Sequence, residues 1–164
     1  MARGETYESF VEKFKPKRTT DDCYTPPAVY DAVLACVHRN GDLTDAQIVR
    51  PFYAGGDYEN YPYREGDVVI DNPPFSIISK ITRDYLSRGV RFFLFAPHLT
   101  VFSPARDCTA VVPGASITYE NGAVVRTSFV SNLFGDIAAM SAPDLGQAIE
   151  EAQAREDRSL PRYV

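Results

Sequence analysis

The chain has few of the residues that build metal centres and disulfide frameworks. Its three cysteines, Cys23, Cys36 and Cys108, are widely separated and show no paired spacing, so they read as free thiols rather than as a disulfide network or a zinc site. Only two histidines are present, His38 and His98, and neither has a second ligand nearby in sequence. A metal enzyme is not expected. No apolar run approaches the roughly 20 residues needed to cross a bilayer, and the stretch from Met1 to Lys17 is charged without a hydrophobic signal region. The expectation is a cytoplasmic protein with no membrane partner. Internal repeats and low-complexity tracts are also missing.

Positive charge is in deficit too. Seventeen Lys and Arg stand against 22 Asp and Glu, a net charge of −5, which speaks against an extensive nucleic-acid footprint because cation–phosphate contacts supply most non-specific affinity. The charge is unevenly placed. Lys13, Lys15, Lys17 and Arg18 form a basic arm, and Glu150, Glu151, Glu156 and Asp157 load the other end. The arm reads either as a solvated tail or as a set of phosphate contacts. What is present in quantity is apolar surface: 45% of the 164 residues are hydrophobic and 12% aromatic, enough for one globular domain with its own core.

The most informative segment is Asn72-Pro73-Pro74-Phe75, which follows the apolar run Asp67-Val68-Val69-Ile70-Asp71. Two consecutive prolines fix φ and remove two N–H donors, so the strand stops there and its end becomes a stiff, extended loop. The side-chain oxygen of Asn72 and the carbonyl of Pro73 suit the two N–H groups of a planar amine, and the ring of Phe75 suits stacking on the heterocycle that carries it. Read structurally, the same segment is a strand-ending Pro-Pro turn. Asp71 either orients this loop, contacts a cofactor or caps the strand end.

The remaining pattern gives an alternating order of elements. Thr25 is placed to cap a helix with Pro26 at its first position, and Val29, Val33, Leu34 and Val37 recur at helical spacing up to Asn40-Gly41. Gln47–Arg50 reads as a short strand stopped by Pro51. After the proline loop, Ile77, Ile78, Ile81, Tyr85 and Leu86 mark a helix ending at Gly89, and 91–96 is a continuous apolar run typical of a strand buried on both faces. This β-α-β unit puts two parallel strands in one sheet with their carboxyl ends at one edge. Further on, 109–112, 116–119 and 123–129 are short β-branched runs. Asn121-Gly122 signals a hairpin, expected at the sheet edge. Ser141 and Asp144 open a last helix to about Ala154, whose polar composition suggests a surface or partner-facing element. A weakly amphipathic stretch runs over 7–14. The division expected is a basic arm over 1–23, an α/β domain over 24–140 and a helical tail over 141–164.

The proline motif resembles the Asp/Asn-Pro-Pro-Tyr/Phe motif of S-adenosylmethionine-dependent adenine-N6 DNA methyltransferases of the phage type. The similarity extends over about 24–134. Tyr24-Thr25-Pro26-Pro27 looks like the segment that touches the methionine part of the cofactor in that family, and Arg50-Pro51-Phe52-Tyr53-Ala54-Gly55-Gly56-Asp57 resembles its glycine-containing cofactor loop. The resemblance implies a reduced Rossmann-like fold, mostly parallel with a C-terminal antiparallel hairpin. It further implies S-adenosylmethionine as cofactor, an adenine in DNA as target, and an origin in phage or mobile elements. On that carry-over Asn72, Pro73, Pro74 and Phe75 are catalytic, while Tyr24, Thr25, Pro51, Phe52, Gly55, Gly56, Asp57 and Asp71 hold the cofactor. Lys13, Lys15, Lys17 and Arg18 contact DNA, with Lys80 and Arg83 either joining them or solvating a helix.

One departure from the family is large. Only sixteen positions separate Gly56 from Asn72, too few for the two βα units that normally hold the adenosine. Either the chain is a minimal enzyme, whose adenosine contacts come from Phe52, from Tyr53, Tyr58, Tyr61 and Tyr63, or from a partner subunit such as a second copy. Or it is a methyltransferase-like binding or regulatory module without transfer activity. The same motif also serves RNA adenine, cytosine N4 and protein glutamine. The tyrosine cluster reads equally as packing beneath a loop.

Overall fold

Every residue of the strand Asp67–Asp71 is buried, because this strand has a neighbour on each side and is covered on both faces. The computed structural model describes residues 24–41, 43–52, 56–102 and 107–159. The basic arm, the stretch over 7–14, Cys23, Tyr53 and Gly55 lie outside the described residues. In chain order the elements are α1 (Pro27–Asn40), β1 (Gln47–Val49), β2 (Asp67–Asp71), α2 (Ile78–Arg88), β3 (Arg91–Pro97), β4 (Thr109–Thr118), β5 (Val124–Ser131), β6 (Ala139–Ser141) and α3 (Pro143–Ser159). Short 3-10 turns, Phe75–Ile77 and His98–Phe102, follow β2 and β3.

These strands form one six-stranded sheet in the order β1-β2-β3-β5-β4-β6. Pairing is parallel from β1 to β3 and between β4 and β6, and antiparallel on both sides of β5. Five strands therefore point one way and β5 alone points back. The fold is α/β with a mixed, mostly parallel sheet. The hairpin does not hang at the edge as expected: β5 inserts between β3 and β4, and β6, which no alternating pattern announces, forms the edge.

Period-2 alternation sorts the core into two layers. Val68, Ile70, Phe93, Phe95, Ile117 and Phe129 face α1 and α3, while Val69, Phe92, Leu94 and Val130 face α2 and the 50–66 connection. The last helix is more than a surface element. Leu145, Ile149 and Ala152 are buried in the same cluster as Val29 and Val33 of α1, so three apolar positions at helical spacing suffice to dock a polar helix.

Local details differ from the sequence reading where tertiary bonds intervene. Helix α1 starts one residue later than predicted, with Pro26 at the cap position and no side-chain capping bond. The carbonyl of Pro26 instead accepts from the N–H groups of Val29 and Tyr30, each at 3.1 Å. The two runs 109–112 and 116–119 are one strand, bent by a register shift between Val111 and Ala115. Gly114 sits in that shift at φ +73°, a backbone state that a Cβ resists. Among the described residues no helix is long and apolar enough to cross a membrane, and no group of three His, Cys, Asp or Glu could hold a metal ion.

Candidate functional site

At the carboxyl ends of β1 and β2 a cavity of about 440 Å³ opens. Arg50 and Phe52 come from the end of β1, Asp71 and Asn72 from the end of β2, and Tyr24, Thr25, Tyr30 and Asp31 from the start of α1. Glu120 closes it from the hairpin turn, where its N–H donates to the carbonyl of Tyr24 at 2.9 Å.

Asp71 organises the floor. Its carboxylate accepts the backbone N–H of Phe52 at 2.9 Å and that of Asn72 at 2.8 Å, and the Nε of Arg50 donates to it at 3.3 Å. A carboxylate that is 1% exposed is costly to charge, and burial raises the Asp71 pKa despite the two N–H groups and the guanidinium that oppose the shift. The guanidinium of Arg50 also lies over the ring of Tyr30, 3.7 Å from its centre, a favourable cation–π geometry. Tyr30 in turn donates its hydroxyl to the carbonyl of Ile70 at 2.7 Å. Burial pushes the Tyr30 phenol up to about 12, with Arg50 pulling the other way. One carboxylate and one guanidinium thus lock the ends of β1 and β2 and the first turns of α1 together.

Several residues expected at a site meet here: Tyr24, Thr25, Phe52, Asp71 and Asn72 line the cavity. Thr25 is 8% exposed, and its buried hydroxyl has no hydrogen-bond partner among the described residues. Others stand elsewhere. Pro51 and Pro73 are buried and Pro74 is half-buried, without lining the cavity. The ring of Phe75 is not at the cavity surface either: it is 5% exposed and packs edge-on against Tyr119, ring centres 5.8 Å apart. Stacking by Phe75 on a ligand is therefore corrected to a core contact in this arrangement. Gly56 and Asp57 are exposed, and Asp57 accepts from the N–H groups of Glu59 and Asn60, closing its own turn away from the cavity.

The described members of the tyrosine cluster, Tyr58, Tyr61 and Tyr63, pack against Phe52, Tyr85 and one another. Tyr58 is buried against Phe52, and the Tyr63 and Tyr85 hydroxyls are 2.6 Å apart beneath the 50–66 connection. That connection covers the α2 side of the sheet beside β1, which explains why aromatic residues concentrate in it. His98 is bonded through Nδ1 to the Ser128 hydroxyl at 2.8 Å and does not line the cavity.

Sequence reasoning missed Tyr30, Asp31 and Glu120. Tyr30 carried a usable signal, since it sits beside Val29 on the buried face of α1 and a phenol there needs a partner. Glu120 carried none, because only the hairpin pairing brings it to α1. The walls hold three carboxyl groups, Asp31, Asp71 and Glu120, and one guanidinium, Arg50, an arrangement suited to a polar ligand with a cationic centre. No family model, curated protein or solved structure matches the chain.

Proposed function

We propose that the chain is an S-adenosylmethionine-dependent methyltransferase acting on the exocyclic N6 amine of adenine in DNA, built on a reduced Rossmann-like sheet. The observation that carries this reading is the position of Asn72, directly before the proline pair, at a cavity beyond the carboxyl ends of parallel strands. Open α/β sheets bind their ligands at that edge. The mostly parallel sheet with one antiparallel hairpin, β4–β5, is in keeping with that fold, although the hairpin lies inside the sheet and not at its edge.

The residues present fit the cofactor. A guanidinium suits an amino-acid carboxylate, the rim carboxyls of Asp31 and Glu120 suit an ammonium or a sulfonium, and the buried Thr25 hydroxyl supplies a donor that the protein itself leaves unused. The volume falls in the range of about 300–1,000 Å³ usual for small-molecule sites. When bound, the cofactor supplies a methyl carbon activated by its sulfonium. Asn72 would turn its side-chain oxygen to the cavity to accept one N–H of the target amine, and the carbonyl of Pro73, which does not line the cavity as it stands, would have to move to accept the second, turning the lone pair toward that carbon. Asp71 would hold Asn72 through its backbone N–H. Positioning, more than acid–base chemistry, carries such a transfer. A duplex adenine must leave the stack to reach Asn72.

Phe75 favours a second reading. With its ring packed on Tyr119 instead of facing the cavity, a non-transferring module that binds a modified or unmodified base through Asn72 alone needs no movement of Phe75.

Isothermal titration with S-adenosylmethionine separates the two. The enzyme binds the cofactor, transfers its labelled methyl group to DNA and loses transfer but not cofactor binding on Asn72→Ala. Absence of cofactor binding removes the enzyme reading, and label found by mass spectrometry in RNA or protein moves the substrate.

A further inference from the structure

Exposed apolar surface gathers at one edge of the sheet. Leu99, Val124 and Phe102 are 86%, 68% and 53% exposed. The 3-10 turn carrying Leu99 and Phe102 follows directly on β3, at the edge where β2 delivers Asn72. The pairing of Thr127 with Pro97 carries the start of β5 three residues, roughly 10 Å, beyond the end of β3. Val124 and Arg126 point to one face there, with Thr118 and Ser116 opposite them on β4. All four are exposed, and among the described residues no helix covers this end of the face. His98 ties the 3-10 turn to β5 through Ser128, and Phe102 packs edge-on against His98 with ring centres 5.2 Å apart. A flat, held platform results, with one aromatic ring, one long aliphatic side chain and one guanidinium turned outward.

We infer that this platform receives the nucleic-acid strand: Phe102 stacks on a base, Leu99 fills the gap left when the target adenine leaves the duplex, and Arg126 meets a phosphate. The inference rests on the methyltransferase reading and names the surface on which its substrate lies. Apolar side chains inserted between base steps are a general means of unstacking DNA, and aromatic platforms bind bases with little sequence preference. Charge selects this partner over an uncharged one. Arg126 stands exposed on the platform.

The test uses the full chain and an adenine-containing oligonucleotide, single-stranded and duplex, read by fluorescence anisotropy at fixed low salt. Leu99→Ser with Phe102→Ala is expected to weaken binding about five- to a hundredfold, the effect of losing one stacked base. Its melting temperature and S-adenosylmethionine titration should stay at wild-type values, since both side chains are exposed and neither lines the cavity. Arg126→Ala should lower the salt dependence by about one phosphate contact. Unchanged oligonucleotide affinity in the double variant overturns the inference. So does a wild-type chain that binds no oligonucleotide, or a double variant that only turns a dimer into a monomer in sedimentation. Oligonucleotide binding through the platform in a chain that fails to bind S-adenosylmethionine would remove the methyltransferase reading and leave the platform standing.

Discussion

The carboxylate of Asp71 accepts the backbone N–H of Phe52 at 2.9 Å across nineteen residues of sequence. Because the same group holds Arg50 and the N–H of Asn72, it fixes the exit from β1 relative to the exit from β2. Asp71→Asn keeps the shape but turns an amide NH₂ toward donors. The expected loss is about 3 kcal/mol in urea unfolding at pH 7, the scale for breaking a buried charged network.

That variant also has a signature in pH. Burial raises the folded pKa of Asp71 above its unfolded value of about 4. Between those two values the native state binds more protons than the unfolded state, so the Asp71 contribution to stability falls as pH rises through the window. The stability gap between wild type and Asp71→Asn should therefore widen as pH falls from neutrality toward 4. A gap that narrows instead would show that Arg50 outweighs burial.

Gly146 of α3 packs against the Pro113 carbonyl, closer than any added Cβ could sit. The contact exists because the Ala142 N–H donates to the Val112 carbonyl at 2.8 Å, pinning the start of α3 to β4. In an open helix, Gly→Ala stabilises by about 1 kcal/mol. Here Gly146→Ala should destabilise by roughly 1–3 kcal/mol, because backbone must move to admit the methyl group. Thermal unfolding reads the sign directly.

Tyr63 donates its hydroxyl to the Tyr58 carbonyl at 2.8 Å and so accepts from the Tyr85 hydroxyl at 2.6 Å. If this cluster serves packing alone, Tyr63→Phe costs on the order of 1–2 kcal/mol of stability and leaves S-adenosylmethionine affinity unchanged. A drop in affinity at unchanged stability would return the tyrosines to the adenosine site.

The fold was legible wherever local pattern and tertiary environment agree. The buried run 91–96, the helix over 78–88 and the Asn121-Gly122 hairpin are set by neighbours close in sequence. Gly122, at φ +85°, takes the left-handed turn state that its type favours. What stayed hidden depends on distant partners. Strand β6 exists because Ala139 pairs with Ala110, and Phe75 is buried because Tyr119 lies across from it. At the site, the type of Asp71 and its place at a strand end could be read from sequence. Its bond to Phe52 could not, since nothing local specifies how the 50–66 connection returns to β2.

Thr25 offers the sharpest separation of folding from binding. Its hydroxyl is buried at the cavity with no partner among the described residues, and an unmet buried donor costs about 1–3 kcal/mol. Thr25→Val removes the polar group at nearly constant volume, so the ligand-free protein should become as stable as wild type or more so. If the hydroxyl serves a ligand, the same change weakens S-adenosylmethionine binding roughly five- to tenfold, the worth of one hydrogen bond. Stability up with affinity down is the expected pair, measured by thermal unfolding and calorimetry on one preparation. Stability and affinity falling together would mean that the hydroxyl holds the start of α1 in place and only indirectly shapes the cavity.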